Sequence, residues 1–228
     1  MFSVSQGGDW GFSITRMLGF NYPTHCIASH LNVVQITADK LNALTNDPNL
    51  SLTKQEEEGI ARTGWFNSEG YGYNDLQSTR PHTLAFALRD SPIALLSWIY
   101  EKLHDWTDSY PWTDDETLTW ISIYQFSRAG PDASVRIYYE ATHVEQEARM
   151  KLFSYVEGVK LGLSYFPRDL SVPPSSYGRT FGDVVFERRH EDGGHFAAYE
   201  RPELLVGDLK EMFGEDGGAG ELAKSIGV

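Results

Sequence analysis

A single cysteine, Cys26, in 228 residues leaves no intramolecular disulfide to form and no cysteine-based metal cluster to build. Basic residues are scarce: 19 Lys and Arg stand against 32 Asp and Glu, a net charge of −13 with a sequence pI of about 4.9. Nucleic acids and anionic bilayers are held by basic surfaces, so neither is an expected partner. A small, apolar, neutral molecule suits this balance better. No run of about 18 apolar residues occurs, so no segment is expected to span a membrane. The opening Met-Phe-Ser-Val-Ser-Gln has neither the basic start nor the apolar stretch of a signal peptide. The expectation is a soluble chain, and one thiol is compatible with a reducing, cytoplasmic setting.

What the chain does have is globular: 41% hydrophobic residues, and 13% aromatic with 6 Trp and 12 Tyr. That is enough for one core, or one core carrying an insertion. Phe2 to Gln6 alternates as a strand does, Gly7-Gly8-Asp9-Trp10-Gly11 interrupts it, and Phe12 to Leu18 continues with helical spacing. Tyr22-Pro23 stops that helix, and His25 to Leu31 reads as a buried parallel strand. Helical texture then dominates to about residue 157. It includes Leu52 to Trp65, Ser91 to Trp106 with Pro92 in its first turn, and a segment opened by the capping box Thr113-Asp114-Asp115-Glu116. Strands return at Val159 to Phe166 and Asp183 to Glu187, and Pro202 to Phe213 forms a last helix. The pattern predicts a parallel α/β sheet from residues 1–33 and 159–214, a mostly helical insertion over 34–158, and a loose glycine-rich tail over 215–228.

A strand–turn–helix of the form small-x-nucleophile-x-small holds its middle side chain up at the carboxyl edge of a sheet. Here Gly7 and Gly11 are the expected small flanks and the middle residue is Asp9. A carboxylate nucleophile attacks carbon and makes an ester that water must cleave, which needs a base active near neutrality. Of 7 histidines, His195 sits in the glycine loop Asp192-Gly193-Gly194-His195-Phe196 directly after the last strand. His25 and His30 lie in a strand, His82, His104 and His143 in the insertion, and His190 among charges at a strand end. Asp169, after the preceding strand, is the expected orienting acid, and the order nucleophile, acid, base is that of a strand-by-strand hydrolase sheet. Asp183, which begins a strand, and Asp192, a turn residue, are rival acids.

Several segments in this order resemble the microsomal-type epoxide hydrolase family, including its soluble fungal members. They are Gln6-Gly7-Gly8-Asp9-Trp10-Gly11, Phe166-Pro167-Arg168-Asp169 and Glu191 to Pro202. In the insertion, Gly72 to Thr83 and Asp90-Ser91-Pro92 to Glu101-Lys102 are similar to the family's lid, and Asp169 and His195 stand 26 positions apart, as the family's acid and base do. The resemblance implies the carboxyl-terminal half of an α/β-hydrolase fold with a helical lid. It implies that Asp9 attacks an epoxide carbon and that His195, oriented by Asp169, activates the water that releases a vicinal diol. Only the resemblance singles out two tyrosines from 12: Tyr73 and Tyr138 are the implied lid phenols that polarise and protonate the epoxide oxygen, with Tyr139 beside the second. It likewise implies an oxyanion N–H from Trp10, and a reaction needing no metal or organic cofactor.

One departure matters. The Asp9 turn begins five residues after Phe2 and Met1, without the family's preceding strands or its His-Gly-x-Pro segment, so the sequence reads as amino-terminally truncated, with impaired activity expected. A haloalkane dehalogenase shares the fold and an Asp nucleophile, and a non-catalytic remnant would share the truncation. An apolar epoxide and water are the expected partners, with an oligomer left open.

Overall fold

A computed structural model describes residues 3–227. Four strands form one sheet in the order β1-β2-β3-β4, all neighbours parallel: β1 (Ser3–Gly7), β2 (Cys26–Leu31), β3 (Val156–Tyr165) and β4 (Gly182–Arg189). Between β1 and β2 runs α1 (Trp10–Asn21), the right kind of crossover for parallel strands. Between β2 and β3 lie α2 (Ala38–Thr45), α3 (Lys54–Trp65), α4 (Gly72–Thr79), α5 (Pro81–Asp90), α6 (Pro92–Asp105), α7 (Asp114–Phe126), α8 (Arg136–Thr142) and α9 (Gln146–Lys151). The last part contains α10 (Ser175–Gly178), then, after β4, α11 (Ala197–Glu200), α12 (Pro202–Phe213) and α13 (Gly220–Ile226).

The sheet is covered on both faces, so β2 and the second half of β3 are buried almost throughout. On one face Phe12 of α1 packs with Leu31, Leu161, Leu163, Tyr165 and Phe181. On the other, Ala28 and Phe186 meet Met212 of α12 and Ala219. The insertion has a core of its own, built from Leu84, Leu88, Leu95, Ile121 and Val135. Its helices start where local chemistry says they should. Thr53 with Glu56 and Thr113 with Glu116 form complete capping boxes, and Ser91 accepts from the Ala94 N–H ahead of Pro92.

One feature departs from the sequence reading and a second goes unmarked by it. The tail is not loose: α13 follows Gly214, and Ala219 and Ala223 are buried, with the Ala219 N–H bonded to the Met212 carbonyl. Four glycines between 214 and 220 obscured a helix that exists because α12 and β4 offer it an apolar surface. The second is Arg16, on the buried side of α1. Its guanidinium donates to the carbonyls of Leu152, Ser154 and Phe181 and lies 4.7 Å from the Phe181 ring, tying α1 to the chain as it leaves the insertion. Burial lowers its pKa to about 10, so it stays charged at neutral pH. Among the described residues no helix is long and apolar enough to cross a membrane.

Candidate active site

The β1–α1 turn places Asp9 at the sheet's carboxyl edge with φ 49° and ψ −122°. A non-glycine residue held at positive φ carries strain of order 1–3 kcal/mol, and such strain collects where a side chain must be presented. The turn is tight on one side only. A Cβ on Gly7 would meet the Gly11 carbonyl oxygen at 2.2 Å, and one on Gly8 would meet Asn32 at 2.6 Å. A Cβ on Gly11 would meet nothing within 4 Å. The expectation that Gly7 and Gly11 are both needed as small flanks is therefore corrected at Gly11: the crowding falls on Gly7 and Gly8, because the strand end, not the helix, is pressed against its neighbours.

Asp169 and His195 meet at the same edge. His195 Nδ1 donates to Asp169 Oδ1 at 2.8 Å, and His195 Nε2 lies 3.5 Å from Asp9 Oδ1. Asp9 is open, its side chain 47% exposed, whereas that of Asp169 is 2% exposed. The Asp169 Oδ1 also accepts the Leu170 N–H at 2.7 Å. The rivals are elsewhere: Asp183 pairs with Lys160 and Asp192 with Arg201. Burial works against a charged His195, but the Asp169 charge and hydrogen bond, with Asp9 and Glu200 behind them, outweigh it and raise its pKa above the usual histidine value.

Residues that spacing does not mark hold these loops. From α3, Arg62 donates to the carbonyls of Asp105, Arg168 and Asp169. Buried Glu200 accepts from the N–H groups of Gly194 and Asp108, at 2.7 and 2.8 Å, and Asp108 accepts from Gly193. The Trp106 carbonyl accepts the His195 N–H at 2.7 Å. The base loop is thus laced to the segment after α6. A side chain on Gly194 would strike that Trp106 oxygen at 2.4 Å. A buried carboxylate a few residues after a Gly-Gly-His is the signal that could have exposed Glu200.

The insertion brings Tyr73 and Tyr138 together because α4 packs on α8. Their rings are 5.8 Å apart, edge to face, and Trp10 lies 5.1 Å from Tyr138. Burial, then the Asp9 charge, raises the Tyr138 phenol, while hydrogen bonds from Trp10 and Gln77 oppose the rise. Burial, then Tyr138 and Asp9, pushes up Tyr73. Tyr139 points away and stacks on His143 at 3.9 Å. Asp9, Trp10, Tyr73, Tyr138 and His195 all line one cavity of about 790 Å³, walled further by Phe66, Val33 and Leu170. The arrangement offers an exposed carboxylate, a base with an oriented imidazole, and two phenols facing one apolar space. Among the described residues no three His, Cys, Asp or Glu side chains converge to hold a metal ion.

Known proteins share this arrangement of elements. No protein-family model matches the chain. An epoxide hydrolase structure from Aspergillus niger superposes with a TM-score of 0.77 at 38% identity, over 92% of this chain and 51% of that one. The juvenile hormone epoxide hydrolase of the silkworm Bombyx mori gives a TM-score of 0.82 at 25% identity, over 99% and 56%. Epoxide hydrolase 1 of Sus scrofa is 28% identical over 92% of this chain and 50% of its own length. The chain spans about half the length of the curated relatives it matches. Its fold is accordingly about half of an α/β-hydrolase, with a parallel sheet and a helical insertion.

Proposed function

We propose that this chain, a member of the epoxide hydrolase family over the span it covers, opens an apolar epoxide to a vicinal diol through an ester on Asp9. The observation that carries the reading is the line Asp9–His195–Asp169: an exposed carboxylate on a strained turn, an imidazole nitrogen 3.5 Å from it, and a buried carboxylate 2.8 Å from the other nitrogen. An Asp9 oxygen attacks an epoxide carbon and the carbon–oxygen bond breaks. The departing oxygen takes a proton from Tyr73 or Tyr138, whose rings face the cavity beside Asp9. His195 then removes a proton from water, and the hydroxide adds to the Asp9 ester carbonyl, whose oxyanion the Trp10 N–H receives. Collapse expels the diol oxygen, which takes the proton back from His195. The second proton of that water, left on the Asp9 carboxyl, returns to the tyrosinate.

Electrostatics favour this division of work. Asp9 helps to raise His195 while it is a carboxylate. Once it is esterified that charge is gone, which lowers the imidazole's pKa and favours its neutral, basic form when water has to be activated. A strand flanks β1 on one side only among the described residues. The elbow therefore lies on an edge of the described sheet. The test is incubation of the purified chain with styrene oxide and chromatography of the diol: Asp9-dependent diol formation is expected, and diol formation unchanged in Asp9→Asn would defeat the reading.

A further inference from the structure

Lys102 is the one lysine buried among the described residues, at 7% exposure, and the steps above do not use it. Burying an ammonium is costly unless something compensates. Its ion-pair partner, Glu101 at 2.6 Å, is itself 62% exposed, so that contact is largely screened. The remaining compensation is aromatic. Lys102 Nζ lies 4.1 Å from the Trp98 ring centroid, one helical turn back on α6, and 5.3 Å from the centroid of Tyr73 on α4. Among the described residues no other cation stacks on the Tyr73 ring. The ring's remaining neighbours are Trp106 at 5.0 Å, Tyr138 at 5.8 Å, Phe66 at 6.4 Å and Tyr71 at 6.5 Å.

We propose that Lys102 is a positioning residue for epoxide opening, its ammonium set against the Tyr73 ring to stabilise the phenolate that forms as Tyr73 protonates the opened oxygen. The inference rests on the role given to Tyr73 above. A neutral phenol offers a cation only its ring quadrupole. As the O–H proton leaves, negative charge spreads from the oxygen into the ring carbons, and attraction to the ammonium grows. The interaction is therefore stronger in the transition state than in the ground state, which is the condition for it to speed the step. It is also needed there. Burial, the Tyr138 and Asp9 groups and Tyr71 all make Tyr73 a weaker acid, and against them stands a hydrogen bond from Asn74. Of the formally charged groups in this surrounding, Asp9 gives up its charge as the ester forms, Glu101 is exposed and screened, and Lys102 favours the phenolate.

The experiment places 2,3,5,6-tetrafluorotyrosine, a phenol acidic enough to ionise while Lys102 is still an ammonium, at position 73 and follows its fluorine shift with pH in the otherwise intact chain. Lys102→Met keeps the apolar stem and removes the charge, so Tyr73 should become about 3- to 30-fold less acidic, the range of a desolvated cation–π contact. Lys102→Arg keeps the charge and should restore acidity to within about threefold. Lys102→Gln, which replaces the ammonium with a neutral amide, should make Tyr73 less acidic by the same range and reads the charge where Lys102→Met does not fold. A titration equal to the parent's in Lys102→Met, or in Lys102→Gln where Lys102→Met is unfolded, overturns the inference. The fluorine signal needs no turnover. Diol formation undiminished by Tyr73→Phe would instead overturn the role of Tyr73 and this inference with it.

Discussion

Two histidine–aspartate pairs draw their imidazoles from the chain just after β4, one meeting an aspartate past β3 and the other an aspartate of α12, and they have opposite fates. His195 donates to Asp169 at 2.8 Å, and His190 donates to Asp208 at 2.7 Å. In the second pair both carboxylate oxygens are taken. Asp208, fully buried, accepts from Arg188 on one oxygen and from His190 and Ser164 on the other. Since the Ser164 proton goes to Asp208, its oxygen accepts from His30 Nε2 at 3.0 Å. His190 stacks flat on Phe166 at 4.5 Å. In the first pair the imidazole's other nitrogen faces a cavity and an exposed carboxylate. A short His–Asp hydrogen bond is therefore no mark of catalysis. What separates the two is a third group and room for a substrate.

The sharpest way to break this comparison is to remove the charge from each acid or base in turn. Asp169→Asn and His195→Gln should each lower diol formation by about 10⁴-fold while leaving thermal unfolding within a few degrees of the parent, because they strip orientation and base from an open site. Measured kcat and a melting curve decide it; a large fall in melting temperature with activity per folded molecule intact would assign that pair to structure. Asp208→Asn should do the reverse. Leaving His190 and Arg188 facing an amide in a buried site should cost about 3 kcal/mol of stability, read by urea unfolding, with kcat per folded molecule within about threefold.

The pH profile sharpens the same contrast. His195 serves as base only when neutral and acts after the Asp9 ester has formed, so kcat should climb with pH through an inflection that Asp169 holds up and flatten on the alkaline side. In Asp169→Asn the inflection should move below that of the parent, and an inflection left in place would contradict the assigned cause. The smallest effect concerns the turn that presents Asp9. Gly7→Ala should destabilise by about 1–3 kcal/mol, since its methyl would strike backbone, whereas Gly11→Ala should unfold at the parental denaturant concentration.

The contrast also explains how much of the molecule was readable in its sequence. Asp9, Asp169 and His195 each follow a strand, so chain order alone carried them to one edge. The parallel sheet, its four strands and the Thr113–Glu116 capping box were equally local, whereas the Thr53–Glu56 box was not read. Tyr73 and Tyr138 were not, because 12 tyrosines share no distinguishing pattern and only the packing of α4 on α8 selects two. Arg16, Arg62, Glu200 and Lys102 escaped for the same reason: each acts on carbonyls, N–H groups or rings brought near by folding. Gly11 was overread, since its carbonyl and not its Cα causes the crowding. The tail was underread, since glycines hid a helix that only its packing surface stabilises.

The central claim is that Asp9 bonds to the substrate and does not merely polarise water. A single turnover of epoxide by excess protein in ¹⁸O-labelled water, followed by mass spectrometry of the Asp9 peptide, tests it directly. Hydrolysis of an Asp9 ester at its carbonyl leaves one heavy oxygen on the Asp9 carboxylate and none in the diol. Heavy oxygen in the diol with an unlabelled Asp9 peptide would contradict the account.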